Sequence, residues 1–555
     1  MVKKFGEGGK TKIKADVIIL GCTLPGIVTA HKLKSKFGDS MDIMVLDIPT
    51  TELPRISSSH VSKFNVAFQE PQDSDSDNDD SSECDYTAKR ELLDNVARFY
   101  LRQYAKEFRV PLPDAIINPE GKTRREIKIE TKIPRQKLFE YPSGDTVKFL
   151  NNIHDFEYLN YLEKFELHQY HSYLDNRMRQ LFQTNYVNPE RDNDTLLYYD
   201  QTTMEKNILD TLLFSTSREI MRIIVRLVCG APANSVSLLF YLHQCYRTSS
   251  SRNHIGGMNT RCREKLLGNC KKRLSCKLQQ SVADITLQSS IKEIRTYSEQ
   301  VILETMKGET TYTCSLLAMA VRPEQLSNIQ VEGQLLPDET ANIIKDMIPG
   351  RAKKFSVKYK ENFWGTLGYS GDIFSMRGPI IWAMERPRLS TTGSLEKYSE
   401  LIGFLVVRDD IRDSKEAVLD QLVGLFGYAA AHPVRYRETR IADVYVPGCG
   451  DYVALRRLTG ERTPKLLEWG ALDIFADGDV AAALEAGHTA YLHMLAFLRP
   501  QAQSYDDIIT GPYIGSASRM RLWLARINII SGIKMTMFTA ALVIGISLMR
   551  SYMRK

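Results

Sequence analysis

No CxxC pair and no regular ladder of spacings occurs among the nine cysteines, which stand at positions 22, 84, 229, 245, 262, 270, 276, 314 and 449. That scatter excludes a disulfide framework and the ligand spacing of a zinc site, and it points to free thiols in a reducing compartment. HExxH, P-loop and GxSxG patterns are also missing, which removes the zinc-protease, nucleotide-hydrolase and α/β-hydrolase readings. No apolar stretch follows the first basic residues (MVKKFGEGGKTKIK), so a cleaved secretory signal is not expected. Nor is there an excess of one charge. The net charge of +6 is small for 555 residues, and basic side chains are dispersed among acidic ones except in stretches such as Arg261 to Lys277, so nucleic acid is not implied as a partner. What remains is an ordinary globular composition, 43% hydrophobic, with length for two or three domain-sized units.

One long uncharged run is present. Met535 to Met549 (MTMFTAALVIGISLM) lies between Lys534 and the basic group Arg550, Arg554 and Lys555. Extended back through Ile527, Ile529, Ile530 and Ile533, it reaches the length of about 20 residues that a transmembrane helix needs, with Lys534 snorkelling. We therefore expect a tail anchor over 527–549 and a body facing the cytosol. Short, moderately apolar tails with basic flanks resemble anchors of the mitochondrial outer membrane, with the endoplasmic reticulum membrane as the alternative.

At the other end, the strand pattern Asp16 to Leu20 runs into Gly21-Cys22-Thr23-Leu24-Pro25-Gly26. A helical pattern follows through Ile27, Ala30 and Leu33, then a second strand, Ile43 to Leu46, closed by Asp47. Strand, glycine turn, helix, strand and a carboxylate 21 residues past the last glycine is the layout of a dinucleotide-binding βαβ unit. The middle glycine of GxGxxG is Thr23, however, and a side chain there would obstruct the approach of backbone to phosphate. The unit reads equally as a working site or as retained architecture.

Residues 70–85 (EPQDSDSDNDDSSECD) are acidic and serine-rich and read as a solvated insertion. Ser74 and Ser76 each precede an aspartate by three, a spacing acidophilic kinases favour. Helical patterns follow over Ala88–Phe108, Asp155–Phe182, Met204–Cys229 and Ser235–Tyr246. Strands are expected around Ile285, Ile291, Val301–Glu304, Lys354–Tyr359, Gly403–Val407 and Leu472–Phe475, with further helices over Lys415–Phe426 and Asp479–Leu498. His168 and His171, i and i+3 on a helix, lack an acidic or cysteine partner and read as surface histidines rather than metal ligands, and no metal site is expected. His488 and His493 read as packing or interface residues.

The run Met204-Glu205-Lys206 through Phe214-Ser215-Thr216-Ser217-Arg218 to Ser235-Val236-Ser237-Leu238-Leu239 and Tyr241-Leu242-His243-Gln244-Cys245 resembles the substrate-domain helices of flavin-containing monoamine oxidases. Gly256-Gly257, KFSVKYKENFW beginning at Lys354, Gly403-Phe404 and Glu485-Ala486-Gly487 extend the likeness over most of residues 14–500, and a C-terminal membrane tail is a trait of the same family. The resemblance implies an α/β fold in which an FAD/NAD(P)-binding Rossmann-like domain is interleaved with an α+β substrate domain, followed by a C-terminal transmembrane helix. It divides the chain into a polar N-terminal arm (1–13), three FAD-side parts (14–69, 251–330 and 441–500), two substrate-side parts (86–250 and 331–440), the acidic insert (70–85), a linker (501–526) and the anchor (527–549).

The resemblance also assigns roles. Lys354 would hold a water near flavin N5; Gly21, Gly26, Asp47, Gly256 and Gly257 would hold the cofactor, FAD; Cys449 in Tyr445-Val446-Pro447-Gly448-Cys449-Gly450 would be the covalent attachment point. Four features depart from the family together. Gly450 replaces the aromatic that follows the cysteine, leaving Tyr452 as an approximate substitute, and the second cage tyrosine has no counterpart. Asp477 and Asp479 bring negative charge where phosphate would sit, and only Arg55 remains of an arginine-and-glycine phosphate loop. We therefore expect a catalytically impaired relative acting as a binding or scaffold module for a protein partner. An active amine oxidase with noncovalent FAD and an amine substrate is the alternative, and a Rab-escort or dissociation-inhibitor-like binding protein is a third reading. The oligomeric state is left open.

Overall fold

The computed structural model describes residues 3–7, 10–48, 96–110, 135–150, 153–184, 193–247, 251, 273–333, 335–347, 353–385, 398–406, 414–440, 445–460, 466–472, 480–499, 501 and 529–553. Three sheets organise them. The first is a parallel sheet in the order Leu467–Glu468, Leu316–Met319, Val17–Leu20, Ile43–Asp47 and Thr286–Gln288. Its central strands are continuous apolar runs because both faces are covered. Val17, Ile19 and Val45 pack under helices, whereas Ile18, Leu20, Met44 and Leu46 pack on Leu303, Leu317 and Trp469.

The helix Leu24–Phe37 lies against the helix Val480–Leu498 at a distance only glycine permits. A Cβ on Gly487 would fall 2.4 Å from the Pro25 carbonyl oxygen. The Thr29 hydroxyl, 2.9 Å from the carbonyl oxygens of both Pro25 and Gly487, closes the crossing.

The second sheet runs Lys3–Glu7, Lys10–Lys14, Thr310–Cys314, Gln300–Thr305, Ile291–Tyr297 and Gln330–Val331. Within the polar N-terminal arm expected over residues 1–13, the described residues lie on two strands. Lys10–Lys14 pairs in parallel with Thr310–Cys314, and its one large apolar residue, Ile13, is buried. Alternation of lysine with threonine and isoleucine suits a strand with one covered face.

The third sheet is built from Arg435–Arg440, Lys353–Tyr359, Ser399–Leu405, Ile380–Glu385, Tyr369–Ser375, Gln136–Glu140 and Thr146–Phe149, in that order. Phe355, Val357 and Tyr359 face the helix Ser414–Phe426 through Val418, Leu422 and Phe426. On the opposite face Ile402, Phe404, Trp382 and Phe374 meet a layer of helices, Tyr161–Thr184, Met204–Thr211, Ser215–Cys229 and Leu238–Arg247.

Two further segments pack on the parallel sheet. The helix Val96–Glu107, grouped by position with the substrate side, buries Tyr100, Leu101 and Tyr104 in the core of the parallel sheet, and residues 335–347 do the same through Leu335, Leu336, Ile344 and Met347. The helical stretch expected over Met204–Cys229 is interrupted at Leu212–Phe214. There the buried Glu166 carboxylate of a neighbouring helix accepts the Leu213 and Phe214 amide hydrogens. The tail forms one helix, Ile529–Met553, whose side chains are described only in part. Among the described residues no helix is long and apolar enough to cross a membrane.

Candidate functional site

The turn after Val17–Leu20 lies at the C-terminal edge of the parallel sheet, the edge at which open α/β sheets receive ligands. Gly21 has φ +106°, and a Cβ there would lie 2.0 Å from the Ala320 carbonyl oxygen. A Cβ on Gly26 would lie 2.4 Å from that of Ala320. Both glycines are therefore required by the seating of the turn and helix on the neighbouring strand. Thr23, the residue before the helix, turns its hydroxyl onto the Ala320 carbonyl at 2.8 Å and leaves the helix amides uncapped. Pro25 falls within the first two helical positions and has no amide hydrogen to offer an anion.

Asp47 ends the adjacent strand, its register set by the pairing of Leu20 with Leu46. Its carboxylate lies close enough to the Cys22 thiol to act on it. Burial, reinforced by that carboxylate, pushes Cys22 up to about 12, so the sulfur keeps its proton. Sequence reading missed both Cys22 and Pro25. The missing donor was readable from Pro25 itself; the Cys22–Asp47 proximity needed the parallel register to be known.

Lys354 stands on the third sheet, half-buried, opposite Phe404 on one neighbouring strand and Thr439 on the other. Directly opposed residues share a face, so Lys354 lies on the side that carries Ile402 and Phe404 toward the helical layer. Among the described residues it has no ion-pair partner. Two residues along, Ser356 donates to the buried Glu400 carboxylate.

Cys449 is exposed, and its thiol donates to the Asp200 carbonyl oxygen at 3.2 Å. Burial and the carboxylates of Asp200 and Asp451 raise it, which disfavours the nucleophilic thiolate. Gly450 has φ +101°, a conformation side chains rarely adopt, so the turn itself accounts for the missing aromatic. Tyr452 is no substitute wall. It is buried edge-on against Phe240, ring centroids 5.2 Å apart, with the Arg456 guanidinium 5.9 Å from its ring. Asp200, not singled out from sequence, is fully buried, and its carboxylate accepts the Val453 amide hydrogen at 2.9 Å near the start of the helix Tyr452–Gly460. Burial raises its carboxyl above the ordinary range, against the pull of that hydrogen bond.

Gly256 and Gly257, Arg55, the acidic residues 70–85 and the turn residues 475–479 lie outside the described residues. The surface placement expected for His171 is overturned. It is fully buried, stacked on Phe156 at 5.7 Å and hydrogen-bonded to Ser251 at 3.0 Å, because its helix is packed on more than one side. His488 is buried against Tyr100 and Tyr104. Among the described residues no group of three or more His, Cys, Asp or Glu could hold a metal ion.

A family described as flavin containing amine oxidoreductase matches residues 91–466, a stretch that begins after the Gly21–Asp47 turn. A protein of Dictyostelium discoideum named probable flavin-containing monoamine oxidase A is 23% identical over 244 residues, 42% of this chain and 52% of that protein. A flavin-containing amine oxidase of Oncorhynchus mykiss is 23% identical over 265 residues, 45% and 49% of the two chains. The match thus spans about half the length of these curated relatives. Among solved structures, putrescine oxidase bound to putrescine is similar with TM-score 0.59 at 15% identity, over 87% of this chain and all of that one. Cyclohexylamine oxidase from Brevibacterium oxydans gives 0.55 at 17%, over 86% and 99%. At such identities the structural likeness establishes the fold. Against the flavin that the family's description names, the Gly21–Asp47 turn has the shape of a dinucleotide cradle with one helix-start donor fewer. The glycines are packed on Ala320, the helix start has lost an amide to Pro25, and the acid lies beside the Cys22 thiol.

Proposed function

The chain belongs to the family of flavin containing amine oxidoreductases, and from that premise we propose that it is a catalytically impaired member whose body serves as a binding module for a protein partner. The observation that carries this reading is the inward turn of the cradle. Among the described residues, the Thr23 hydroxyl is spent on Ala320, the two glycines are packed on the same residue, and Pro25 takes one amide from the helix start. Folds keep their cores after a site is lost, so the two halves of that observation are compatible. Tyr452 and Gly450 extend it to the substrate side, where no aromatic wall follows Cys449.

The second reading, an oxidase passing electrons from an amine to noncovalently held FAD, is favoured by one observation: Lys354 sits half-buried and without an ion-pair partner among the described residues, on the sheet face toward the helical layer. The visible spectrum of the purified full chain separates the two. A colourless folded protein is expected, and flavin absorbance at one equivalent would overturn the binding-module reading in favour of the oxidase.

For its address, the reading adds a tail anchor in the mitochondrial outer membrane, with the endoplasmic reticulum as alternative. Its support is the single 25-residue helix Ile529–Met553, on which Met537, Phe538, Leu542, Val543, Ile544 and Ile546 are exposed. Deleting residues 534–555 should release the body from membranes; retention of the truncated chain would refute the anchor.

A further inference from the structure

We propose that the strand Arg435–Arg440 is a docking edge for a protein partner, and that it takes an extended acidic peptide as a further strand of the seven-stranded sheet. The inference deepens the binding-module reading and rests on it, because it names the chemistry of the partner. Among the described residues this strand ends the sheet, paired on one side with Lys353–Tyr359. A strand in that place offers a row of backbone N–H and C=O groups along its outer side, the groups that strand addition uses.

Register decides which charges share a face. Lys358 lies opposite Arg435 and Ser356 opposite Arg437, and across the next strand Lys358 lies opposite Glu400. Directly opposed residues share a face, as do residues two apart along a strand. One face of the edge therefore carries Arg435, Arg437, Lys358 and Lys354, the arginines exposed and the lysines half-buried. Among the described residues of these three strands, one carboxylate shares that face: Glu400, which is buried and accepts the Ser356 hydroxyl. The acid on the edge strand itself points away. Glu438 falls on the opposite face with Phe355, where it accepts from the hydroxyls of Tyr436 and Ser414, the latter at 2.6 Å, and from Lys353 at 3.4 Å.

Like charges set directly opposite, as Lys358 and Arg435 are, raise the energy of a sheet. An anion on that face relieves the repulsion, and a neutral or basic partner does not. Each arginine presents a fork of five donors, more than a contact within the chain takes up, and the fork matches a carboxylate. Arg435 and Arg437, two residues apart, stand about 7 Å from each other along the strand. That is the spacing of acidic residues at alternate positions of an added strand, so the partner carries acid at every second residue rather than in a block.

The test uses the full chain in detergent micelles and follows the anisotropy of short labelled peptides. One alternates glutamate with threonine, a second alternates glutamine with threonine, and a third is the glutamate peptide N-methylated at every second amide. The glutamate peptide should bind saturably, and the other two about tenfold more weakly or worse, as the loss of charge-assisted or backbone hydrogen bonds implies. Arg435→Glu/Arg437→Glu should weaken the glutamate peptide by about tenfold or more, while Lys12→Glu/Lys14→Glu, on the second sheet, should match wild type. The peptide series is read on wild type, so it decides even where a variant fails to fold. No binding of the glutamate peptide, equal binding of its N-methylated form, or equal binding by the folded arginine variant would overturn the inference. Polyphosphate that binds more tightly than the peptide through the same arginines would make the edge a general anion surface and overturn it too. Flavin at one equivalent would sink the binding-module reading, whereas a colourless chain that ignores the peptide would sink this inference alone.

Discussion

In the parallel sheet, the turn between Val17–Leu20 and the helix Leu24–Phe37 keeps the close approaches of Gly21 and Gly26 that seat it, yet its Thr23 hydroxyl bonds back into the protein. In the seven-stranded sheet, the strand Lys353–Tyr359 keeps both its packing and an available amine, because Lys354 is half-buried and unpaired among the described residues. On the proposed reading, the first region is kept as architecture and the second still holds a group able to meet a ligand. The difference teaches that glycines and apolar runs report the demands of packing, whereas the state of a site is written in where its polar hydrogens go.

The comparison can be broken most severely at Gly21. Gly21→Val places a branched side chain at φ +106° and against the Ala320 carbonyl, and should cost about 4 kcal/mol or more. Loss of soluble, cooperatively melting protein is the expected result; an unchanged melting curve would show that the cradle is not held by packing. Asp200→Ala comes next. It removes a buried carboxylate from the Val453 amide and should destabilise by about 2 kcal/mol, read as a lower denaturation midpoint.

A smaller effect concerns the acid limb of stability. Burial pushes Glu107 up, but hydrogen bonds from His31 at 2.7 Å and Lys32 at 2.8 Å outweigh it and hold the carboxyl at about 2, below its ordinary 4.5. A depressed folded value means that this stabilisation is full above about pH 4.5 and is lost as pH falls toward 2. Glu107→Gln should therefore lower the melting temperature at neutral pH and flatten its decline over that window; an unchanged decline would count against the cluster. The smallest effect belongs to the other sheet. Lys354→Met should alter stability by less than about 0.5 kcal/mol, as expected of a side chain without a partner. A large loss would mean that Lys354 is structural and that the contrast between the sheets is false.

Much of the fold was legible. The strands Val17–Leu20 and Ile43–Asp47 and the helices Leu24–Phe37 and Ser414–Phe426 lie close to where periodicity puts them, because alternation and helical repeats are recorded in neighbouring residues. Where local pattern failed, a distant group intervened. Glu166 breaks the helix at Leu212–Phe214, and Thr310–Cys314 recruits the lysine-rich Lys10–Lys14 as a strand. The candidate site was legible only as positions. Gly21, Gly26, Asp47, Lys354 and Cys449 could be named, but that Ala320 crowds both glycines, why Gly450 is glycine and that Tyr452 is a core residue could not.

By itself the sequence determined the family likeness, the βαβ unit and a basic-flanked apolar tail, since each is a matter of residue order and spacing. Tertiary structure alone decided that Thr23 serves Ala320 and that Asp200 meets the helix bearing Val453. The physical reason is that a hydrogen bond forms between groups brought within about 3 Å. For residues hundreds of positions apart, that proximity is created by sheet register and helix packing, of which no local run of residues keeps a trace.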